Sequence, residues 1–437
     1  MKKSDIKIFI SYHKDSERIE SEIMTPIHVG AKDSDLNLNI LRDDEGINIS
    51  GKNDKYCELT AQYWAWKNTE AEYYGFMHYR RHFIFTDCEY PFDDGRPVFY
   101  KKIDKRYRGE IGLDDEIIYE KIRKSDILLP LPADTSSWGA VSNEVQFSCL
   151  YNLHAADFDI VCKTVIELYP DYSEAVQEFR TCKSAYWYNI FIMKKEIFMH
   201  YSEWLFHILE CAEKKIDFSI YDQQERRTLA FMAERLLSIY LIKLFKEKPE
   251  LKVNFLKLTF VQDTDRITSE NVKNLKDIKE EPPEMPYVFS VERAYKELNE
   301  ISLPYEMESL FHQKKKDIEK LLHDKKIIFY GGGNWCKQFL SYFDRLGIQY
   351  PAEIWDREAK EDQVIRGIRV VKPDHLTAVD KTEALWVITI RNQAMSKEAW
   401  DFLQENGITE IVENRTLLDW LSYKLFLETA GRTDQFC

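Results

Sequence analysis

The sequence predicts two α/β domains in series. Three observations lead there. Strand and helix signals alternate through about the first 260 residues, a charged, proline-bearing stretch without apolar periodicity follows, and a glycine-rich turn restarts the alternation near residue 325. At 437 residues the chain exceeds one ordinary domain and allows two full cores. The expected boundaries are 1–262 for the first domain, 263–322 for a charged linker with connecting helices, and 323–437 for a smaller α/β domain.

The elements follow in order. Ile6–Tyr12 (IKIFISY) is short, β-rich and closed by polar residues, which makes it a buried strand. Cys57–Asn68 (CELTAQYWAWKN) spaces Leu59, Tyr63, Trp64 and Trp66 as a helix does, with Trp64 and Trp66 on different sides and Glu58 sharing a face with Gln62. Tyr73–Phe83 returns to strand, DILLPLP is a strand stopped by prolines, and DIVCKTVIELYP is a helix stopped by Pro170. YWYNIFIMKKEIF reads as a strand entering a helix, with Asn189 a polar residue among apolar strand neighbours. A long amphipathic helix spans QQERRTLAFMAERLLSIYLIKLFKE, its apolar face expected in the core and its lysines a second candidate contact for acidic lipid. After the linker come the strand Ile327–Tyr330, a helix, a strand ending at Asp356, and strands in ALWVITIRN and ITEIVE.

Composition narrows the function. A net charge of -14 argues against a nucleic-acid partner, because phosphate neutralisation needs a basic face. The 14% aromatic content favours grooves for rings or sugars, although aromatics are also ordinary core material. Eight scattered cysteines with no CxxC pair give no zinc or redox motif and suit reduced thiols in a cytosolic protein. The start has too short an apolar run for a signal segment, and no window reaches the roughly 18 apolar residues of a membrane span, so a cytoplasmic protein is expected.

The turn Gly331-Gly332-Gly333 between strand and helix is a candidate nucleotide site in a Rossmann-like domain. Glycines admit a pyrophosphate to backbone N–H groups at a helix N-terminus, and Asp356 falls where a ribose contact would lie. Cys336 stands where a third glycine is usual, and a glycine turn is often just a tight turn.

Tyr73–Phe83, YYGFMHYRRHF, ends an apolar run in His78, Tyr79, Arg80, Arg81 and His82. Side chains at the carboxyl end of such a strand project into the ligand crevice. Strand alternation would put His78, Arg80 and His82 on one side, with Tyr79 and Arg81 on the other. Arginine forks pair with phosphate oxygens, and histidine donates when protonated or serves as a base when neutral. The plainer alternative is an arginine pair salt-bridged to acidic neighbours, and these residues alone weigh the two evenly.

IFISYHKD, PIHVGAK, NDKYCELTAQYWAWKN, YYGFMHYRRHF, YNIFIMKKEIF and ERRTLAFMAERL together resemble domain-of-unknown-function family 4422, found in bacterial capsule and surface-polysaccharide gene clusters, over about residues 5–260. Family members are regarded as glycosyltransferases, with galactofuranosyl transfer suggested for some. The resemblance implies a GT-A-like nucleotide-sugar fold for the first domain, and the tail resembles Rossmann-like modules appended to polysaccharide enzymes. Such GT-A folds usually hold Mg²⁺ or Mn²⁺ on an Asp-x-Asp motif, where this sequence has His78-Tyr79-Arg80. A cationic strand end would neutralise the diphosphate directly, so no metal ligand is assigned and little or no metal dependence is expected, with Mg²⁺ or Mn²⁺ as the alternative neutraliser.

By the same resemblance Arg80, helped by His78 and Arg81, binds the leaving diphosphate, while Ser11, Tyr12, His13 and His28 border the base and ribose. Asn189 contacts sugar or acceptor. Arg227 and Glu234 reach the cleft or form a helix salt-bridge network. For the base, spacing does not choose among Asp157, Asp159, Asp222 and Glu234; Asp157, Glu234 and His78 stand as catalytic candidates. The implied enzyme is a hexosyltransferase. It moves a sugar from a nucleotide sugar, UDP-linked, to a lipid-linked saccharide of capsule or lipopolysaccharide, at the inner face of the plasma membrane, with the helix near Leu236–Phe245 as a peripheral membrane contact. The alternative is a non-enzymatic nucleotide-binding or partner-binding regulatory protein. An NAD-dependent epimerase is disfavoured, since the glycine turn leaves too little chain after it.

Overall fold

The computed structural model describes residues 2–87, 97–135, 142–148, 153–265, 322–373, 383–390 and 393–412, with Lys320, Leu417 and Leu421. The chain divides into two compact units. One comprises Met1–Thr135, Ile160–Ile216 and Arg226–Pro286; the other comprises Ser136–Asp159, Asp217–Glu225 and Tyr287–Cys437. The second unit thus recruits two short segments from the first 260 residues, while most of the expected linker, 266–319, lies outside the described residues.

The strands of the first unit are β1 (Ile6–Tyr12), β2 (Met24–His28), β3 (Leu41–Arg42), β4 (Tyr73–His78), β5 (Val98–Tyr100), β6 (Ile127–Pro130), β7 (Ala133–Asp134), β8 (Ser184–Ala185), β9 (Phe191–Lys194), β10 (Val253–Leu256) and β11 (Thr259–Val261). Among the described residues seven of them form one sheet in the order β3-β2-β1-β4-β9-β6-β10. β3, β2, β1 and β4 run parallel, and β9 lies antiparallel between β4 and β6. β1 and β4 are apolar almost throughout because both faces of the sheet are covered. At the centre a Cβ on Gly75 would come within 2.8 Å of Ile192 Cγ1 and 3.0 Å of Ile8 Cγ1, so only glycine lets β1, β4 and β9 close up.

The helix Leu59–Asn68 meets the helix Lys195–Glu213 through a buried hydrogen bond, Gln62 Nε2 to Ser202 Oγ at 3.1 Å. The helix Thr228–Glu247 buries Leu236, Leu237, Ile239, Leu241 and Leu244. Its apolar face is thus used in the core, as its spacing predicts. Its lysines are also engaged, Lys243 with Asp171 (3.0 Å) and Lys246 with Glu174 and Glu178 (both 2.7 Å). Among the described residues no helix is long and apolar enough to cross a membrane.

The second unit carries β12 (Lys326–Tyr330), β13 (Glu353–Trp355), β14 (Val364–Ile365), β15 (Ile368–Val371), β16 (Ala384–Ile388) and β17 (Ile411–Val412). They are ordered β14-β15-β13-β12-β16-β17 and are parallel except for β14. Phe339, Leu340 and Phe343 of the helix Asn334–Leu346 join one core cluster, and Ala399 and Leu403 of the helix Gln393–Glu405 join another, so the sheet is covered on both faces. Gly331 has φ +114°, and a Cβ there would lie 2.6 Å from Ile390 Cγ1 and 3.2 Å from the Thr389 carbonyl oxygen. Gly331→Ala should therefore destabilise this unit by more than about 1 kcal/mol, read as an earlier midpoint in urea unfolding, with ligand binding to the first unit unchanged.

Candidate active site

The carboxyl ends of the parallel strands bring the predicted residues together by register. Ser11 lies opposite His78, Tyr12 opposite His28, and His28 opposite Arg42. Strand alternation then fails. β4 stops at His78, and Tyr79 and Arg80 turn the corner of a tight reversal closed by His78 N–H to the Arg81 carbonyl and Arg81 N–H to the His78 carbonyl, both 3.1 Å. The returning strand is fixed by Val261 N–H to the Arg80 carbonyl and Thr259 N–H to the His82 carbonyl, both 2.9 Å. This reversal separates His82 from the arginines. His82 is fully buried, its Nδ1 is 2.5 Å from the Tyr107 hydroxyl, and it supports the turn from within.

The two guanidinium groups share one ring. Phe260 lies 4.9 Å from Arg80 and 5.0 Å from Arg81, with Tyr79 at 5.3 Å from Arg80 and Tyr188 at 4.6 Å from Arg81. Among the described residues neither arginine has an ion-pair partner, and both Nε atoms are buried without an acceptor. In a chain of net charge -14, an unpaired arginine pair is not surface neutralisation. Ring stacking holds the two forks in place and leaves their N–H groups for an anion.

The imidazoles report the same field. Burial, then the Arg81 charge, brings His78 down to about 3. Burial also lowers His13, with Lys14, Arg80 and Arg227 adding to it, and lowers His28, with Arg42 adding. Burial and the Arg81 charge thus oppose protonation of His78 in the unliganded site. Its Nε2, and both ring nitrogens of buried His28, have no partner among the described residues. Tyr12 is fully buried, with its hydroxyl accepting from Ile19 N–H (3.0 Å) and donating to the Glu17 carbonyl (3.3 Å), so it shapes the strand end from the core side. Ser11 is buried and its carbonyl accepts Tyr79 N–H at 3.0 Å. His13 keeps part of its surface in solvent while its ring meets the Tyr79 ring edge-on at 4.8 Å.

Two carboxylates join this end, one of which had no role in the sequence reading. Glu58, just ahead of the helix Leu59–Asn68, accepts from Asn189 Nδ2 at 2.8 Å. Glu234 accepts from Tyr188 N–H at 3.0 Å and from Arg235 Nη1 at 2.7 Å, so both its oxygens are engaged. Burial raises both carboxyls above the usual range. Asn189 lies ahead of β9 rather than within a strand, and its Oδ1 is buried without a partner. Cys57 (φ 46°), Tyr188 (φ 76°) and Asn189 (φ 52°) all adopt left-handed backbone beside these groups. Strain of about 1–3 kcal/mol per such residue is typical of sites that orient functional side chains. Arg227 donates from Nε to Cys57 Sγ at 3.2 Å. The signal for Glu58 was present in CELTAQYWAWKN, but its partner lies 131 residues away.

Asp157, Asp159 and Asp222 belong to the second unit, where the Tyr221 hydroxyl donates to Asp157 Oδ1 at 2.7 Å and Lys337 pairs with Asp222. The glycine turn and Asp356 do meet there, with Gly332 N–H donating to Asp356 Oδ2 at 2.5 Å. The chain's own carboxylate thus holds an amide that a pyrophosphate would need. Gly333 heads the helix Asn334–Leu346, and Cys336 is fully buried, its thiol pushed up to about 12 by that burial.

A family model, domain of unknown function DUF4422, matches residues 7–246, and the chain belongs to that family. Among solved structures it is similar to the bifunctional glycosyltransferase WbbM in its apo form, at 27% identity and a TM-score of 0.57, over 94% of this chain and 59% of that one. The chain thus spans about 59% of the length of WbbM. No curated protein matches it.

Proposed function

We propose that the protein is a glycosyltransferase. It takes a UDP-linked sugar and passes the sugar to a hydroxyl of a lipid-linked surface-polysaccharide intermediate at the cytoplasmic membrane face; galactofuranose is the sugar the family resemblance suggests. The observation that carries this reading is the pair Arg80 and Arg81, caged by Tyr79, Tyr188 and Phe260 without an ion-pair partner among the described residues. The likeness to WbbM supports transfer chemistry. The parallel strands β3-β2-β1-β4, with ligands expected at their carboxyl ends, support a GT-A-like first domain, and the doubly covered sheet supports a Rossmann-like second one.

In this reading the arginines bind the diphosphate and stabilise its growing charge as the bond from sugar C1 to the leaving oxygen breaks. Glu58, raised in pKa and oriented by Asn189, takes the acceptor hydroxyl proton as that oxygen bonds to C1. Glu58 takes the place of Asp157 and Glu234 as the base, because Asp157 is buried and accepts the Tyr221 hydroxyl, and both Glu234 oxygens are occupied. Imidazole and guanidinium nitrogens at the strand end do not suit a hard divalent cation, so no step passes through one.

The test is release of UDP from UDP-hexoses in EDTA, with lipid extract of a capsule-forming bacterium as acceptor. Transfer from at least one donor is expected, with Glu58→Gln lowering kcat by about 10²–10⁴-fold and donor KM nearly unchanged. A Glu58→Gln enzyme as active as the parent would remove that residue from the mechanism.

A further inference from the structure

The first unit contains a second concave site, built on helices and sharing no residue with the Arg80–Arg81 cluster. It is a groove of about 790 Å³, within the ~300–1,000 Å³ usual for small-molecule sites. Helical spacing writes it into the sequence. His200, Glu203, Trp204, His207 and Glu210 recur at intervals of three and four along Lys195–Glu213 and form one stripe, while Phe198, Leu205 and Leu209 are buried in the core. On Leu59–Asn68, Tyr63, Trp66 and Lys67 form a matching stripe, and Trp64 turns inward with its indole N–H on the Glu45 carbonyl at 2.8 Å.

The lining is aromatic but not merely apolar. Half-buried Tyr63 and Trp66 pack on Phe206 at 5.0 and 5.7 Å, and Tyr172 stacks on Trp204 at 4.8 Å. Trp204 is 2% exposed, and its indole N–H has no hydrogen-bond partner. His200 and His207 each engage a tyrosine hydroxyl through Nδ1 at 2.9 Å, Tyr240 and Tyr169 respectively, which leaves Nε2 for another group. Glu203 has no ion-pair partner among the described residues.

The cations are already engaged. Lys52 pairs with Glu213 at 2.8 Å, Lys243 with Asp171 at 3.0 Å and Glu247 at 2.6 Å, and Lys67 lies 3.3 Å from the Trp66 ring centre. That balance suits neither a phosphate nor an acidic glycan. An aromatic lining bordered by carboxylate, imidazole and indole groups suits a neutral polyol, which packs its C–H groups against the exposed ring edges and shares its hydroxyls with the polar rim. We infer that this groove binds a neutral oligosaccharide, a stretch of the acceptor glycan held apart from the reacting end. Its role as acceptor rests on the transferase reading; oligosaccharide binding does not. Such a tether would raise the acceptor's effective concentration at the strand ends.

The test is retention of the intact protein on a glycan array carrying neutral and acidic bacterial oligosaccharides, with Trp66→Ala, Tyr169→Ala, Glu203→Gln and Arg80→Ala in parallel. Neutral oligosaccharides should be retained, with about tenfold weaker retention by Trp66→Ala and Tyr169→Ala, a smaller loss with Glu203→Gln, and no loss with Arg80→Ala. Thermal midpoints recorded alongside separate a lost contact from a lost fold. Retention persisting in a protein that fails to bind UDP would uphold the groove while removing the transferase reading. No retained glycan, retention of acidic glycans alone, or retention lost in Arg80→Ala but not in Trp66→Ala, would overturn the inference.

Discussion

Replacing Arg80 and Arg81 together by alanine is expected to weaken UDP binding by about two to four orders of magnitude, since each charge-assisted bond to phosphate contributes about 1.5–3 kcal/mol. Stability should change by no more than about 1 kcal/mol, because the lost ring contacts are offset by relief of repulsion between two unpaired cations. Calorimetric titration gives the first quantity and urea unfolding the second. Lysine at either position should recover part of the loss, because a point charge replaces the attraction but not the planar fork. A large fall in stability with unchanged UDP affinity would return the pair to a structural role.

Arg366→Ala should destabilise the second unit by about 3–5 kcal/mol, the usual cost of leaving buried charges without their partner. The Arg366 side chain is 1% exposed and donates to Asp344 Oδ2 (3.1 Å), Ser341 Oγ (2.9 Å), the Leu153 carbonyl (2.7 Å) and Glu225 Oε1 (3.3 Å). It therefore fastens both recruited segments to the helix Asn334–Leu346. His154 stacks on Tyr221 at 4.2 Å beside it. Burial alone would raise the Glu225 carboxyl, but His154, the Asp222 N–H and Arg366 outweigh it and bring it to about 2. A depressed carboxyl stabilises the fold above its ordinary pKa of 4.5 and loses that contribution as pH falls toward 2. Unfolding followed across that window should show acid sensitivity that Glu225→Gln flattens. An acid profile identical in parent and variant would contradict the assignment.

Much of the architecture is local and could be read. β1 and β4 are nearly continuous apolar runs, the helix Leu59–Asn68 has helical spacing, and the strand into Gly331 announces the second sheet. What escaped depends on distant pairing. The reversal after His78 is fixed by β11, almost 180 residues later, so period-two reasoning placed His82 with the arginines when it belongs to the core. Phe260, which lies against both guanidinium groups, stood at the edge of what read as linker. Asn189 looked like a strand residue because its apolar neighbours are; its backbone is left-handed, and Glu58 and the Ala230 carbonyl hold its side chain. Asp157 sits in a helical pattern continuous with the first unit, yet its segment packs with the second.

The most direct measurement of the central claim is titration of UDP into the intact parent protein in EDTA, repeated with Mn²⁺. The cationic strand end predicts binding of similar affinity in both, since Arg80 and Arg81 neutralise the diphosphate themselves. Binding that vanishes in EDTA and returns with Mn²⁺ would contradict it, and would move the diphosphate to carboxylates elsewhere in the chain.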